Sequence, residues 1–291
     1  MKRLYLWGWP VEHSLSEPMH RAALDHLGLR WQYRAEAVAP AELAGRLKRF
    51  RDEKAALGAN VTIPHKERIR AQLDSLSPLA EAVGAVNTVV KTPEGALRGD
   101  NTDCGGFRAT LDGLTGALAG RAALVLGAGG AARAACAVLA QRGAGRLWVA
   151  ARRPPGADWW RGLVPPGTGI ETSILPWSRL SQTLLTADRG LILINATPVG
   201  MWPGAKESPL SPDEIDLLPA GTQVVDLIYR PRLTRLLDLA RARGLETAGG
   251  EEMLVRQGAL SLGLWLGETL PERAVEVMRE AVRRELEGTG C

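Results

Sequence analysis

The apolar positions fall into short runs bounded by proline- and glycine-marked turns, and strand-like runs alternate with helical spacing along most of the chain. Residues 3–7 run apolar and stop at Gly8 and Pro10, which predicts a first strand opening into a loop. Helical spacing follows from about Met19 to Leu27, then a strand over residues 31–38, a helix over 40–52 and a strand over 57–61. Thr62 is a candidate cap and Pro64 fits a first turn, so a helix is expected from there to about Leu73. A short helix from Pro78 to Val83, a strand beginning near Asn87 and a hairpin around Pro93 to Gly95 complete this half. The turn-rich run Gly99-Asp100-Asn101-Thr102-Asp103 then opens another helix. This alternation predicts an α/β fold.

Beyond residue 120 the pattern becomes more specific. Ala122 to Leu126 is wholly apolar and runs into Gly127-Ala128-Gly129-Gly130-Ala131-Ala132-Arg133 and an alanine-rich helix ending near Gln141. A strand, a glycine turn and a helix let the backbone approach a pyrophosphate at the helix N-terminus, so Gly127, Ala128, Gly129, Gly130 and Ala131 are predicted to hold a dinucleotide. The next strand, Arg146 to Ala151, ends at Arg152 and Arg153, where an NAD enzyme would place an acid for the ribose hydroxyls. Guanidinium groups suit a ribose phosphate, which predicts NADP; a solvated arginine pair is the alternative. Residues 154–169 hold four prolines and four glycines and predict an irregular surface segment, in which Trp159-Trp160 receives no role. Strands over 170–175, 191–195 and 224–229 follow, with helices over 180–186 and from Pro231 and Thr234 to Arg243. A long helix over 249–266 and a last one from Pro271 end the pattern.

Length and charge narrow the class of protein. The 291 residues suit two domains, and 45% hydrophobic residues suffice for their cores. The net charge is +4, yet the arginines are scattered and no basic run is interleaved with aromatics, which favours an acidic small molecule over nucleic acid as partner. Cys104, Cys136 and Cys291 are odd in number and far apart, offering neither a disulfide framework nor a metal set, so a cytoplasmic, metal-free protein is expected. The N-terminal apolar run is too short for a signal peptide, and no stretch approaches the roughly 20 apolar residues of a membrane span.

Candidate chemistry concentrates in Gly58-Ala59-Asn60-Val61-Thr62-Ile63-Pro64-His65-Lys66-Glu67. Lys66 falls in the first turn of the helix expected there, against the helix dipole, where a purely structural design would not put a cation. Only six of the 36 basic residues are lysines, and arginine cannot serve as general acid or base, so Lys66 is the candidate proton donor. A solvated lysine beside Glu67 is the competing reading. Ser14 and Ser16, separated by one residue in a loop, present two hydroxyls suited to a carboxylate; Ser16 as a simple helix cap is the competing reading. Asp103 is either a helix cap or a partner for a substrate hydroxyl.

The ordered set Ser14-Leu15-Ser16, Asn60 to Glu67, Val86-Asn87-Thr88, Asn101-Thr102-Asp103 and Gly106-Phe107 is similar to the shikimate dehydrogenase family, and with later motifs the similarity spans nearly the whole chain. The resemblance implies an NADP-dependent oxidoreductase reversibly reducing 3-dehydroshikimate to shikimate in aromatic amino-acid biosynthesis. It implies a catalytic pair, Lys66 and Asp103, with Ser14 and Ser16 on the substrate carboxylate. Asn60, Thr62, Asn87 and Asp103 would hold the ring hydroxyls, and Tyr229 and Gln257 would also reach the substrate. Asn195, Thr197, Met201, Leu227 and Gly250 would contact the cofactor. Implied domains are residues 1–104 for substrate, 105–248 for the dinucleotide in a Rossmann-like parallel sheet, and 249–291 as helices returning to the first domain. Glu17 and Arg21 stand where the family usually has proline and asparagine, and Ala151 and Arg153 where it has asparagine and threonine. A paralogue acting on quinate and a non-catalytic regulator on the same scaffold are the alternatives. Assembly is left open, with a homodimer as one option.

Overall fold

The computed structural model describes residues 1–288, so Cys291 lies outside the described residues. The chain forms two compact units. One contains Met1–Gly106 and residues 254–288, and the other contains Phe107–Met253. Their change-overs follow residues 106 and 253, against 104 and 248 expected from sequence.

The first unit contains β1 (Arg3–Gly8), α1 (Ser16–His26), β2 (Gln32–Ala37), α2 (Leu43–Asp52), β3 (Ala56–Val61), β4 (Ser75–Leu76), α3 (Pro78–Val83), β5 (Thr88–Lys91) and β6 (Leu97–Asp100). α4 (Asp103–Asp112) begins here. Its sheet runs β2-β1-β3-β5-β6-β4, with β1 parallel to β2 and β3, and β5 antiparallel to both β3 and β6. The expected hairpin is the β5–β6 connection. Tyr5, Trp7, Leu47, Phe50, Val61 and Val89 pack one face of this sheet as a continuous core, each such side chain contributing about 1.5–3 kcal/mol by leaving water.

The second unit contains β7 (Ala122–Leu126), α5 (Gly130–Gln141), β8 (Arg146–Ala151), β9 (Glu171–Pro176), α6 (Leu180–Leu185), β10 (Ile192–Asn195), α7 (Pro212–Asp216), β11 (Gln223–Asp226), α8 (Arg235–Ala242) and β12 (Glu246–Ala248). Every pairing is parallel, in the order β12-β11-β10-β7-β8-β9. That is the Rossmann arrangement, whose order reverses between β7 and β10, the place where open parallel sheets receive their ligands. Apolar runs buried on both faces explain why β7, β10 and β11 read as continuous rather than alternating. α9 (Glu251–Leu266) leads the chain back into the first unit, where α10 (Glu272–Gly288) packs on α1.

Two expected elements differ. No α-helix follows β3: residues 63–68 are turns, followed by a 3-10 turn at Ile69–Gln72. The Lys66 carbonyl accepts from Val86 N–H at 2.8 Å, which takes it out of any helical ladder. The strand expected over 224–229 ends at Asp226, because the Asp226 side chain takes the Ile228 N–H that a longer strand would need. The three-residue β12 carries too little periodicity to be read from sequence.

α9 meets the first sheet through Trp265, whose Nε1 donates to the Val89 carbonyl at 3.0 Å. A Cβ on Gly58 would lie 1.9 Å from that nitrogen. Gly58→Ala is therefore expected to displace the indole and destabilise the fold by about 1–3 kcal/mol, measured by chemical denaturation; an unchanged midpoint would show that the indole shifts freely.

Candidate active site

Lys66 is placed by the segment on either side of it. His65 is fully buried and donates from Nε2 to the Val38 carbonyl at 2.7 Å, while the Lys66 carbonyl is held by Val86. With its backbone pinned, the Lys66 side chain reaches Asp103 at the start of α4, with Nζ 2.6 Å from Oδ2. The two side chains are 16% and 5% exposed. The helix-dipole argument for Lys66 does not hold, since no helix begins there; the carboxylate of Asp103 is what places its cation.

Asp103 is held in turn by Asn87, whose Nδ2 donates to Oδ1 at 2.9 Å. Asn87 Nδ2 also lies 3.2 Å from Gln257 Oε1, and Gln257 donates to the Leu254 carbonyl one turn earlier in α9. The structure thus brings Lys66, Asn87, Asp103 and Gln257 together. Thr62, half-buried, lies at the end of β3 and its carbonyl accepts from His65 N–H. Ser14 and Ser16 also meet, their hydroxyls 3.2 Å apart, and Ser14 Oγ accepts the Ser16 N–H. Ser16 is the first residue of α1 rather than its cap, and no side chain caps that helix. Glu17 accepts from Ala35 N–H at 2.9 Å, so this departure from the family pattern ties α1 to β2.

Asn60 is placed differently from the others. Its Oδ1 accepts from the Tyr33 hydroxyl at 2.8 Å, and its Nδ2 faces Ser261 Oγ at 2.8 Å, the Asn87 carbonyl and Thr88. Both ends of the amide are committed inside the protein. Ser261 was missed in the sequence: fully buried, it joins Asn60, Thr88 at 2.8 Å and Thr102 at 3.0 Å, and its signal was only its position one turn after Gln257.

In the second unit the glycine turn after β7 stands at the switch point. Gly127 has φ +104°, and a Cβ there would lie 3.0 Å from the Ala196 carbonyl of the segment after β10. Gly129 precedes α5 in extended conformation with nothing within 4 Å of its Cβ position, so open space, the Gly130 and Ala131 N–H groups and the twelve-residue α5 suit a pyrophosphate. Arg152 and Arg153 are exposed directly after β8. Asn195 Oδ1 accepts from Thr197 N–H and its hydroxyl, at 3.0 and 2.7 Å. Leu227 N–H bonds the Asn195 carbonyl, and Gly250 N–H bonds the Ile228 carbonyl; a Cβ on Gly250 would lie 2.3 Å from the Leu227 carbonyl. Tyr229 is half-buried in this unit and Met201 is exposed. Asp226 binds these loops together. It accepts from Asn195 Nδ2 at 3.0 Å, Ile228 N–H at 3.1 Å and the Thr234 hydroxyl at 2.7 Å. Burial pushes its pKa up to about 6, opposed by those bonds from Thr234, Ile228 and Asn195.

Among the described residues no three or more His, Cys, Asp or Glu side chains converge to hold a metal, and no helix is long and apolar enough to cross a membrane.

A Rossmann unit with an intact glycine turn, in a chain that also carries a lysine held against a carboxylate, has the parts of a dinucleotide-dependent oxidoreductase. Residues 6–89 match the family described as the shikimate dehydrogenase substrate binding domain, and residues 250–283 match the shikimate 5'-dehydrogenase C-terminal domain. Shikimate dehydrogenase (NADP(+)) of Synechocystis sp. is 40% identical over 98% of this chain and 96% of its own. The structure of shikimate 5-dehydrogenase from Thermus thermophilus in complex with NADP(H) and shikimate superposes with a TM-score of 0.78 at 40% identity, covering 98% and 99% of the two chains. A 5-ketofructose reductase of Gluconobacter superposes at 0.79 with 32% identity, over 97% and 98%. The chain belongs to the shikimate dehydrogenase family.

His20 supports the first cluster from below. Its Nδ1 donates to the Ser16 carbonyl at 2.7 Å, and its ring stacks 4.1 Å from Tyr33, the donor to Asn60. Burial lowers its pKa from the ordinary 6.5 to about 4, against the backbone bond to Ser16. The unfolded chain binds this proton near 6.5 and the folded chain resists it until about 4, so stability is full above 6.5 and declines as pH falls through this window, by about 3 kcal/mol. His20→Gln is expected to lower the melting temperature at pH 8 yet flatten its decline toward pH 4.5. Parallel declines in both proteins would remove His20 from the acid response.

Proposed function

We propose that this chain catalyses the reversible NADPH-dependent reduction of 3-dehydroshikimate to shikimate. The single observation that carries the proposal is the Lys66–Asp103 pair, 2.6 Å apart and backed by Asn87, in a family whose Thermus thermophilus relative was solved with shikimate and NADP(H). Bound NADPH supplies the hydride. In the direction of reduction, Lys66 Nζ gives a proton to the ketone oxygen as negative charge develops on it; in the reverse direction it takes the hydroxyl proton. Asp103 Oδ2 holds Nζ in place for that transfer, and Asn87 prevents Asp103 from turning away. Ser14 and Ser16 receive the substrate carboxylate, while Thr62, Asn87, Asp103 and Gln257 receive ring hydroxyls. Tyr229 contributes a further substrate contact. We place Asn60 behind these residues, because its amide bonds Tyr33 and Ser261 whereas that of Asn87 bonds Asp103 and Gln257.

For the cofactor, the backbone of Gly127, Ala128, Gly129, Gly130 and Ala131 takes the pyrophosphate, and Arg152 and Arg153 take the ribose phosphate. Asn195, Thr197, Met201, Leu227 and Gly250 line the nicotinamide end. The lack of an acid after β8 supports NADP over NAD. Cys104 and Cys136 are buried thiols outside any disulfide, in keeping with a cytoplasmic enzyme. A homodimer is the assembly to test by sedimentation. The Gluconobacter reductase carries another activity on this scaffold, so shikimate, quinate and 5-ketofructose form the substrate panel.

Lys66→Met is expected to cut kcat about a hundredfold or more while leaving shikimate binding within a few-fold in calorimetry; near-normal turnover refutes the assignment. Replacing Arg152 and Arg153 together by Ala is expected to raise KM for NADP far more than KM for NAD, and equal changes would show that neither arginine reads the phosphate.

A further inference from the structure

Trp159 is 7% exposed in a segment that is otherwise mostly at the surface. Its indole Nε1 donates to the Ala128 carbonyl at 3.0 Å, so the ring is fastened to the glycine turn itself. Arg133, in the first turn of α5, sits over the same ring at 5.2 Å and donates to the Trp159 carbonyl at 3.1 Å. Trp160 packs edge-on against it, with centroids 5.0 Å apart. At the other end of the segment, Ala151 is held in β8, paired with Pro176 of β9. Arg152 and Arg153 thus lie on a short tether between two fixed points, the end of β8 and the glycine turn, and Pro154-Pro155 remove backbone freedom from it.

We propose that Trp159 is a positioning residue for cofactor selection: by anchoring the 152–160 segment to the glycine turn, it sets where Arg152 and Arg153 stand and so gives them their grip on the 2′-phosphate. The proposal rests on the reading of those arginines as the phosphate contact. An anchored tether leaves the guanidinium groups fewer positions to lose on binding, which raises affinity without a new contact. The benefit falls on NADP alone, because NAD has no phosphate for the arginines to meet. The indole is fastened to the pyrophosphate turn and not to the residues assigned to the nicotinamide end, so kcat at saturating cofactor is expected not to depend on it.

The test is a cycle of Trp159→Phe, the paired Arg152→Ala and Arg153→Ala replacement, and their combination, assayed with shikimate and either NADP or NAD. Trp159→Phe keeps a ring over Arg133 but loses the indole N–H. The expected result is a rise in KM for NADP of about fivefold, the scale of one neutral hydrogen bond, with less than a twofold change for NAD and an unchanged kcat. That rise should vanish in the background lacking both arginines, since the two replacements act through one interaction. Equal rises for both cofactors would reduce Trp159 to a brace for the turn and overturn the proposal. A selective loss in the arginine variant without one in Trp159→Phe overturns it while leaving the phosphate reading intact. No selective loss in the arginine variant refutes the phosphate reading, and the proposal falls with it. Trp159→Leu removes the same N–H and is read in the same assay should the Phe variant fail to fold.

Discussion

The side-chain amide of Asn87 has one orientation open to it. Thr102 N–H points at one end from 2.7 Å, and a backbone N–H can only donate, so the atom facing it is the oxygen. The nitrogen must then face Asp103, at 2.9 Å from Oδ1. This leaves Oδ2 of Asp103 for Lys66. A backbone group at the start of α4 therefore decides, through one amide and one carboxylate, where the cation of the site stands. Thr88, Thr102 and Ser261 close the other side of the cluster with hydroxyls that both donate and accept, so the cluster adjusts its protons without leaving a buried group unpaired.

Such a cluster is a poor way to make a stable fold. Taking a lysine and an aspartate largely out of water costs several kcal/mol per ion before their attraction is counted, and apolar side chains of similar volume would often hold the fold as well. The stability of this unit comes instead from the apolar side of the sheet, where Trp7, Phe50 and their neighbours pack with Phe50 edge-on to Trp7 at 4.9 Å. The apolar core and the polar cluster take alternate residues of β3. Ala59 and Val61 belong to the core, while Asn60 between them points into the polar cluster.

Much of this was readable from the chain because the signals were local. The Rossmann unit announces itself through apolar runs and a glycine turn, and Gly127 with φ +104° shows why that residue type is required there. The meeting of Ser14 and Ser16 was readable for the same reason, since only Leu15 separates them where the loop enters α1. Lys66 was picked out by an argument that the structure removes, since a local rule about helix ends cannot foresee that Val86, twenty positions later, takes its carbonyl. Ser261, Tyr33 and Trp159 were unreadable for a related reason. Each acts through a partner far away in sequence, at Asn60 or at Ala128, and nothing in the flanking residues marks it.

The second unit meets the same demand with different means. Asp226 is fully buried and is satisfied by an amide, a backbone N–H and a hydroxyl, all neutral. With its folded pKa raised to about 6, the protonated form favours the fold at low pH, and that contribution is lost as pH rises through 6, so near neutrality the ionised carboxylate burdens the fold by about 3 kcal/mol. A lysine beside it would relieve that burden. What the bare carboxylate provides is an acceptor for three donors at once, from the end of β10, the loop after β11 and the N-cap of α8. A cation would compete for those oxygens and pull the loops out of register. The contrast separates the two carboxylates by partner: Asp226 is met by dipoles and holds backbone in place, whereas Asp103 is met by a lysine and fixes where that side chain stands.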